Sequence, residues 1–116
     1  IRNHQITFDS DHLNQILWNL CSNALRYCTQ QENSIRINLS IDTQKNNTIL
    51  DIIDDGAGLD VQKRKQIFEP FYTTSSKGTG LGLFIVRELC ETNHAFIEFI
   101  ENSGGAHFRI KCNTIQ

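Results

Sequence analysis

Three short runs in this chain carry residue types and spacings that can do chemistry. Gly78-Thr79-Gly80-Leu81-Gly82-Leu83 is glycine-rich and opens an apolar pattern with helical spacing. Free backbone N–H groups at such a junction, with the dipole of the following helix, make an anion site. Asp54-Asp55-Gly56-Ala57-Gly58 closes an apolar run with strand character. A carboxylate there can accept from an exocyclic amine such as that of adenine, and the glycines let backbone approach a ring closely. Asn19, Asn23 and Arg26 recur at helical steps and share one stripe. An amide oxygen suits a hard cation that also binds phosphate oxygens. Arg26 suits a phosphate, and Tyr27 can pack on a purine. Together, in this order, the runs predict a nucleotide pocket, with Asp55 on the base and Asn23 on magnesium.

Singly, each run has a plainer reading. Asp55-Gly56 could be an ordinary turn, the glycines a hinge, and the asparagines caps on neighbouring backbone. No clean strand precedes Gly78, which excludes the strand–loop–helix of a dinucleotide fold, and the Walker A and protein-kinase signatures are absent.

The elements that must position these residues follow from periodicity. Residues 4–9 could be a short strand. Asp9 or Ser10 can cap a helix in which Leu13, Ile16, Leu17, Leu20, Ala24 and Tyr27 form the apolar stripe. Ser34–Asp42 alternates, with Ile35, Ile37, Leu39 and Ile41 predicted to face the core, and Thr48–Ile53 returns as its hairpin partner. Asp60–Ile67 is a short helix candidate, and 67–80 reads as a loop. Leu81–Thr92 is a second long helix with Leu83, Val86, Leu89 and Cys90 inward. Ala95–Ile100 and Ala106–Cys112 form a final pair. The predicted fold class is an α/β (α+β) two-layer sandwich, a mixed sheet with about three helices on one face.

The bulk numbers fit one domain. The chain has 116 residues, 39% hydrophobic and 21% charged, with 11 Lys and Arg against 13 Asp and Glu. A net charge of −2 without a basic block argues against a nucleic-acid partner. Cys21, Cys28, Cys90 and Cys112 lack metal-ligand spacing and read as small apolar residues. No run reaches the length of a membrane span. The chain begins at Ile1 and contains no Met, so a longer parent is expected, with sensor, anchor or acceptor segments elsewhere.

The three blocks, with Phe68-Glu69-Pro70-Phe71 between the second and third, resemble the N, G1, F and G2 boxes of the catalytic ATP-binding domain of sensor histidine kinases. The similarity spans about residues 6–112. It implies the Bergerat ATP-binding fold shared with heat-shock chaperones, gyrase B and MutL (the GHKL group), with ATP and Mg2+ as cofactors. By position it makes Asn23 the magnesium ligand, Asn19 its catalytic companion and Arg26 a basic residue near the phosphates. Tyr27 and Asp55 fall beside adenine, with Gly56 and Gly58 as the G1 glycines. Gly78, Gly80 and Gly82 become the G2 glycines, with Thr79 and Leu81 between them. Residues 67–80 correspond to the ATP lid, which carries Phe68 at its base and Lys77 as a candidate γ-phosphate contact.

Position 19 separates branches of the group. Hydrolytic relatives carry a glutamate there, and Asn19 cannot serve as a base, so the resemblance implies phosphoryl transfer rather than ATP hydrolysis. None of the four histidines (His4, His12, His94, His107) is followed by an acidic residue, as the family's acceptor is. The expected acceptor is a histidine on an upstream dimerisation and phosphotransfer domain of the same protein, followed by a response regulator. The domain itself is expected to be cytoplasmic and monomeric, within a homodimeric parent anchored in the bacterial inner membrane. Asn93-His94-Ala95 and Gly105-Ala106 depart from the common His-Gly-Gly and Gly-Thr. Phe68 to Leu83 and Ile85 to Glu91 look most similar to the nitrogen-regulation and type IV pilus (PilS-like) sensor kinases, implying a regulator that activates sigma-54 promoters. The alternatives are a non-catalytic nucleotide-binding module and a GHKL-type ATPase.

Overall fold

A computed structural model describes residues 5–58, 62–64, 66–72, 80–101 and 105–114. Helix α1 spans Ser10–Tyr27. Asp9 caps it, its Oδ1 accepting from the His12 N–H at 3.0 Å. This satisfies one of the orphan donors that every helix start leaves. Helix α2 spans Gly82–Thr92. The strands are β1 (Ile35–Asp42), β2 (Asn47–Asp54), β3 (Phe96–Phe99) and β4 (His107–Asn113).

The sheet order is β1-β2-β4-β3. The three strand pairings among the described residues are antiparallel, where the sequence predicts a mixed sheet. The described helices number two rather than about three. Within the expected helix 60–67, residues 62–64 and 66–67 form turns. The only apolar residue described there, Ile67, is buried at 4% exposure and acts as a single anchor where a helix would need a stripe. Of the expected short strand at 4–9, Gln5 makes an isolated bridge and residues 6–9 have no regular structure; the remaining elements fall close to their predicted places.

The two helices cover one sheet face, α1 over β2 and α2 over β3. Ile16, Leu20, Val86 and Cys90 are the most completely buried side chains. They meet Ile52, Phe108 and Ile110 from the sheet. Phe108 takes Phe68 and Phe99 edge-to-face, with centroids 6.1 Å and 5.3 Å away. The helices run antiparallel: His12, near the start of α1, touches Asn93 at the end of α2, and Asn19 reaches Gly82 at its beginning. Asn93 holds the far end, accepting from the Asp9 N–H at 2.9 Å and donating to Leu89 O at 2.7 Å.

The expected inward face of β1 is only half right. Ile37, Leu39 and Ile41 share the helix side of the sheet with their partners Ile52, Leu50 and Thr48. Yet they are 54%, 72% and 38% exposed. β1 is the edge strand, and neither helix reaches far enough to roof it. The opposite sheet face carries a buried carboxylate, Asp51, which accepts from Arg109 Nε at 2.7 Å and lies 2.8 Å from His107 Nε2. Burial raises the Asp51 pKa, but these two partners outweigh it and hold the carboxyl below its ordinary value.

Candidate nucleotide site

The stripe Asn19, Asn23, Arg26 lies on the flank of α1 that faces α2. Asn19 Nδ2 donates to Gly82 O at 3.2 Å, so this stripe is tied to the first residue of α2. The antiparallel crossing carries α1 onward past that point. Asn23 and Arg26 therefore stand about 6 Å and about 10 Å further along its axis, beyond the start of α2. Asn23 is half-buried, and its amide takes no hydrogen bond among the described residues. Arg26 and Tyr27 are exposed at the helix end.

Helix α2 starts without a side-chain cap and without an acidic residue in its first turn. A helix start of this kind, with its positive dipole end and no side-chain cap among the described residues, suits an anion. A Cβ at Gly82 would meet nothing within 4 Å. Gly80, two residues earlier, has φ +76, and a Cβ there would sit 2.3 Å from the Phe71 carbonyl carbon. Phe71 N–H donates to Gly80 O at 2.8 Å and joins the two stems of the intervening loop. Leu81 is half-buried and supplies the carbonyl that opens the α2 ladder, accepting from Ile85 N–H. Lys77, Gly78 and Thr79 lie outside the described residues, as does most of the expected lid. Phe68, at the lid's base, packs into the core on Phe108.

The two aspartates at the end of β2 have different surroundings. Asp55 is exposed, and both carboxylate oxygens are occupied by one residue: Oδ1 accepts from Thr29 N–H at 2.9 Å and Oδ2 from Thr29 Oγ1 at 2.6 Å. The Thr29 hydroxyl and then its amide hold the Asp55 carboxyl below its usual value. Asp54 is buried at 4% exposure. Its Oδ1 accepts from Gly56 N–H at 2.9 Å and Ala106 N–H at 3.3 Å. Its Oδ2 takes no hydrogen bond among the described residues.

Asp54 is thus the strand-end carboxylate on the helix side, and Asp55 turns away into a local clasp. Strand alternation carries the signal: Ile52 faces the helices, so Asp54, two residues on, does too. Gly56 completes this wall. A Cβ there would fall 2.2 Å from Tyr27 O, so only glycine lets the end of α1 close against the turn. Gly58 packs on Gly105, and Gly105 in turn lies against Asp54 O, a position for which the sequence offered no separate signal. Asn19 thus adjoins the start of α2, and the end of α1 adjoins the turn of Asp54 and Gly56. No group of three or more acidic, His or Cys side chains able to hold a metal occurs among the described residues. That suits magnesium only as an ion bound mainly through phosphate, with an amide oxygen such as that of Asn23.

Comparison with known proteins agrees with this geometry. Residues 8–114 match the family described as histidine kinase-, DNA gyrase B-, and HSP90-like ATPase. The sensor protein kinase PilS of Pseudomonas aeruginosa is 46% identical over 109 residues, covering 91% of this chain and 21% of PilS. The sensor histidine kinase TmoS of Ectopseudomonas mendocina is 36% identical over 110 residues, 89% of this chain and 11% of TmoS. The chain therefore spans about a fifth or less of these relatives. Among solved structures, the nucleotide-free catalytic domain of histidine kinase ThkA superposes with a TM-score of 0.80 at 27% identity, over 93% of this chain and 70% of that one. Full-length ShkA in complex with AMPPNP gives 0.74 at 26%, over 90% and 22%. By sequence over nearly its whole length and by fold, the chain belongs to the histidine kinase-, DNA gyrase B- and HSP90-like ATPase family.

Proposed function

We propose that this domain binds Mg-ATP and presents its γ-phosphoryl group to a histidine on a separate dimerisation domain of a two-component sensor kinase. The observation that carries the reading is the Asp54 carboxylate at the helix-side end of β2, with Oδ1 held by two backbone N–H groups and Oδ2 taking no hydrogen bond among the described residues. That oxygen suits the exocyclic amine of adenine, a role the sequence had pointed to Asp55 for. The uncapped start of α2 suits the phosphates, with Gly82 giving them room and Arg26 adding positive charge. Asn23 suits magnesium, and Tyr27 borders the base. Phe68 anchors the lid stem from the core side. Residues 67–80, with Lys77, Gly78 and Thr79, form the lid over the phosphates.

Bound Mg-ATP would supply the transferable phosphoryl group and neutralise its charge. The chain's own part is to bind and orient, which suffices for a transfer whose nucleophile comes from elsewhere. Asn19 spends its Nδ2 on Gly82 O and has no proton-accepting carboxylate, which disfavours activation of water. The similarity to PilS supports the pilus-type group of sensor kinases, with a response regulator as the downstream partner and a membrane-anchored homodimer as the parent. No helix among the described residues is long and apolar enough to cross a membrane.

The test is calorimetric titration of the chain with AMPPNP, with and without magnesium. Saturable binding strengthened by magnesium is expected. A folded sample that binds no adenine nucleotide would refute the reading.

A further inference from the structure

The Thr29–Asp55 pair is exposed, and its side chains share no hydrogen bond with Asn19, Asn23, Asp54 or α2 among the described residues. Asp55 nevertheless holds both ends of the connection between α1 and β1. Its carboxylate takes the Thr29 N–H and hydroxyl, and its own N–H donates to Ser34 O at 3.0 Å. That connection follows directly on the last turn of α1, whose Tyr27 carbonyl is packed against the Gly56 turn. It contains two residues at left-handed backbone angles, Gln30 and Asn33, each with φ 62. Such a segment has little regular hydrogen bonding of its own to fix it.

We propose that Thr29 and Asp55 are positioning residues for the nucleotide site. Their clasp fixes the distance between the last turn of α1, with Asn23 and Arg26, and the turn that carries Asp54. The inference rests on the nucleotide reading above. It gives Asp55 work that does not involve contact with the base. Binding geometry of this kind tolerates little slack, because a small displacement of one wall weakens every contact made across the gap.

The test uses Thr29→Val and Thr29→Ser in the intact chain, titrated with AMPPNP and magnesium, with unfolding midpoints recorded without nucleotide. Valine keeps the size and the backbone N–H but loses the hydroxyl bond to Oδ2; serine keeps both bonds. Loss of one such hydrogen bond predicts a Kd weaker by about threefold to tenfold in Thr29→Val. Thr29→Ser should return to the parent Kd and midpoint, and the nucleotide-free midpoint of Thr29→Val should fall by no more than the loss of one exposed hydrogen bond, leaving the free chain folded. Unchanged affinity in Thr29→Val, or an equal loss in Thr29→Ser, would overturn the clasp while leaving the nucleotide reading intact. Absence of binding in the parent chain would overturn the nucleotide reading itself and the clasp with it.

Discussion

Replacing Asp54 by asparagine tests the site most directly. The carboxylate is buried, and its Oδ1 already accepts from two backbone donors, Gly56 N–H and Ala106 N–H. An asparagine must keep its oxygen toward those donors, which leaves its NH2 group facing the ligand's own amine. The reverse orientation would set the NH2 group against two N–H groups. Either way one charge-assisted hydrogen bond is lost and a donor meets a donor. Such a bond is worth about 1.5–3 kcal/mol, or about 10- to 150-fold in Kd. Calorimetry with AMPPNP reads this directly, and the unfolding midpoint of the free variant shows whether the fold survives. The companion variant Asp55→Asn should lose less, since an asparagine can still engage Thr29. If Asp54→Asn bound within about twofold of the parent while Asp55→Asn lost tenfold or more, the assignment of the base to Asp54 would be refuted.

Asn23→Ala should leave magnesium-free nucleotide binding close to the parent and remove most of its enhancement by magnesium, as paired titrations with and without the ion would show. Gly56→Ala places a Cβ 2.2 Å from Tyr27 O; it should destabilise the domain by about 1–3 kcal/mol and weaken nucleotide binding, measured by urea unfolding and titration. The Asp51 carboxyl lies below its ordinary value of 3.8 in the folded chain. Its stabilisation is therefore complete above the unfolded-state value and lost as pH falls through the lower folded value. Urea midpoints followed downward from pH 5 should drop for the parent more steeply than for Asp51→Asn, and parallel curves would contradict the pairing with Arg109 and His107.

Most of the fold was legible because its long elements obey their periods. The stripe of α1 and the alternation of β4 each have a buried side to declare. β1 shows where that logic stops. Its alternation is as clean as that of β4, yet the pattern reports only which residues share a face, and coverage depends on how far α1 reaches across the sheet. The stretch 60–67 fails for a related reason, since a charged run whose two apolar residues, Val61 and Ile67, stand six apart satisfies a helical pattern weakly. At the site, the reading of Asp55 passed over parity along β2, which sets Asp54 on the same face as the buried Ile52. The hydroxyl of Thr29 and the close packing of Gly105 on Asp54 are tertiary contacts with no local periodicity to announce them.

The order β1-β2-β4-β3 places the chain's last strand between two earlier ones. β2 and β3 never touch directly; each finds its partner only when residues 107–113 arrive. Phe108 and Ile110, which fill the middle of the core, come with that strand. A nascent chain emerging from the ribosome can form α1, the β1–β2 hairpin and α2, but it cannot close the sheet that holds them together. Asp54 waits as well, since its Ala106 donor lies at the threshold of β4. Closure of the sheet therefore waits for residues 107–113, and a chain cut short before His107 would expose two unpaired strand edges rather than a smaller working domain.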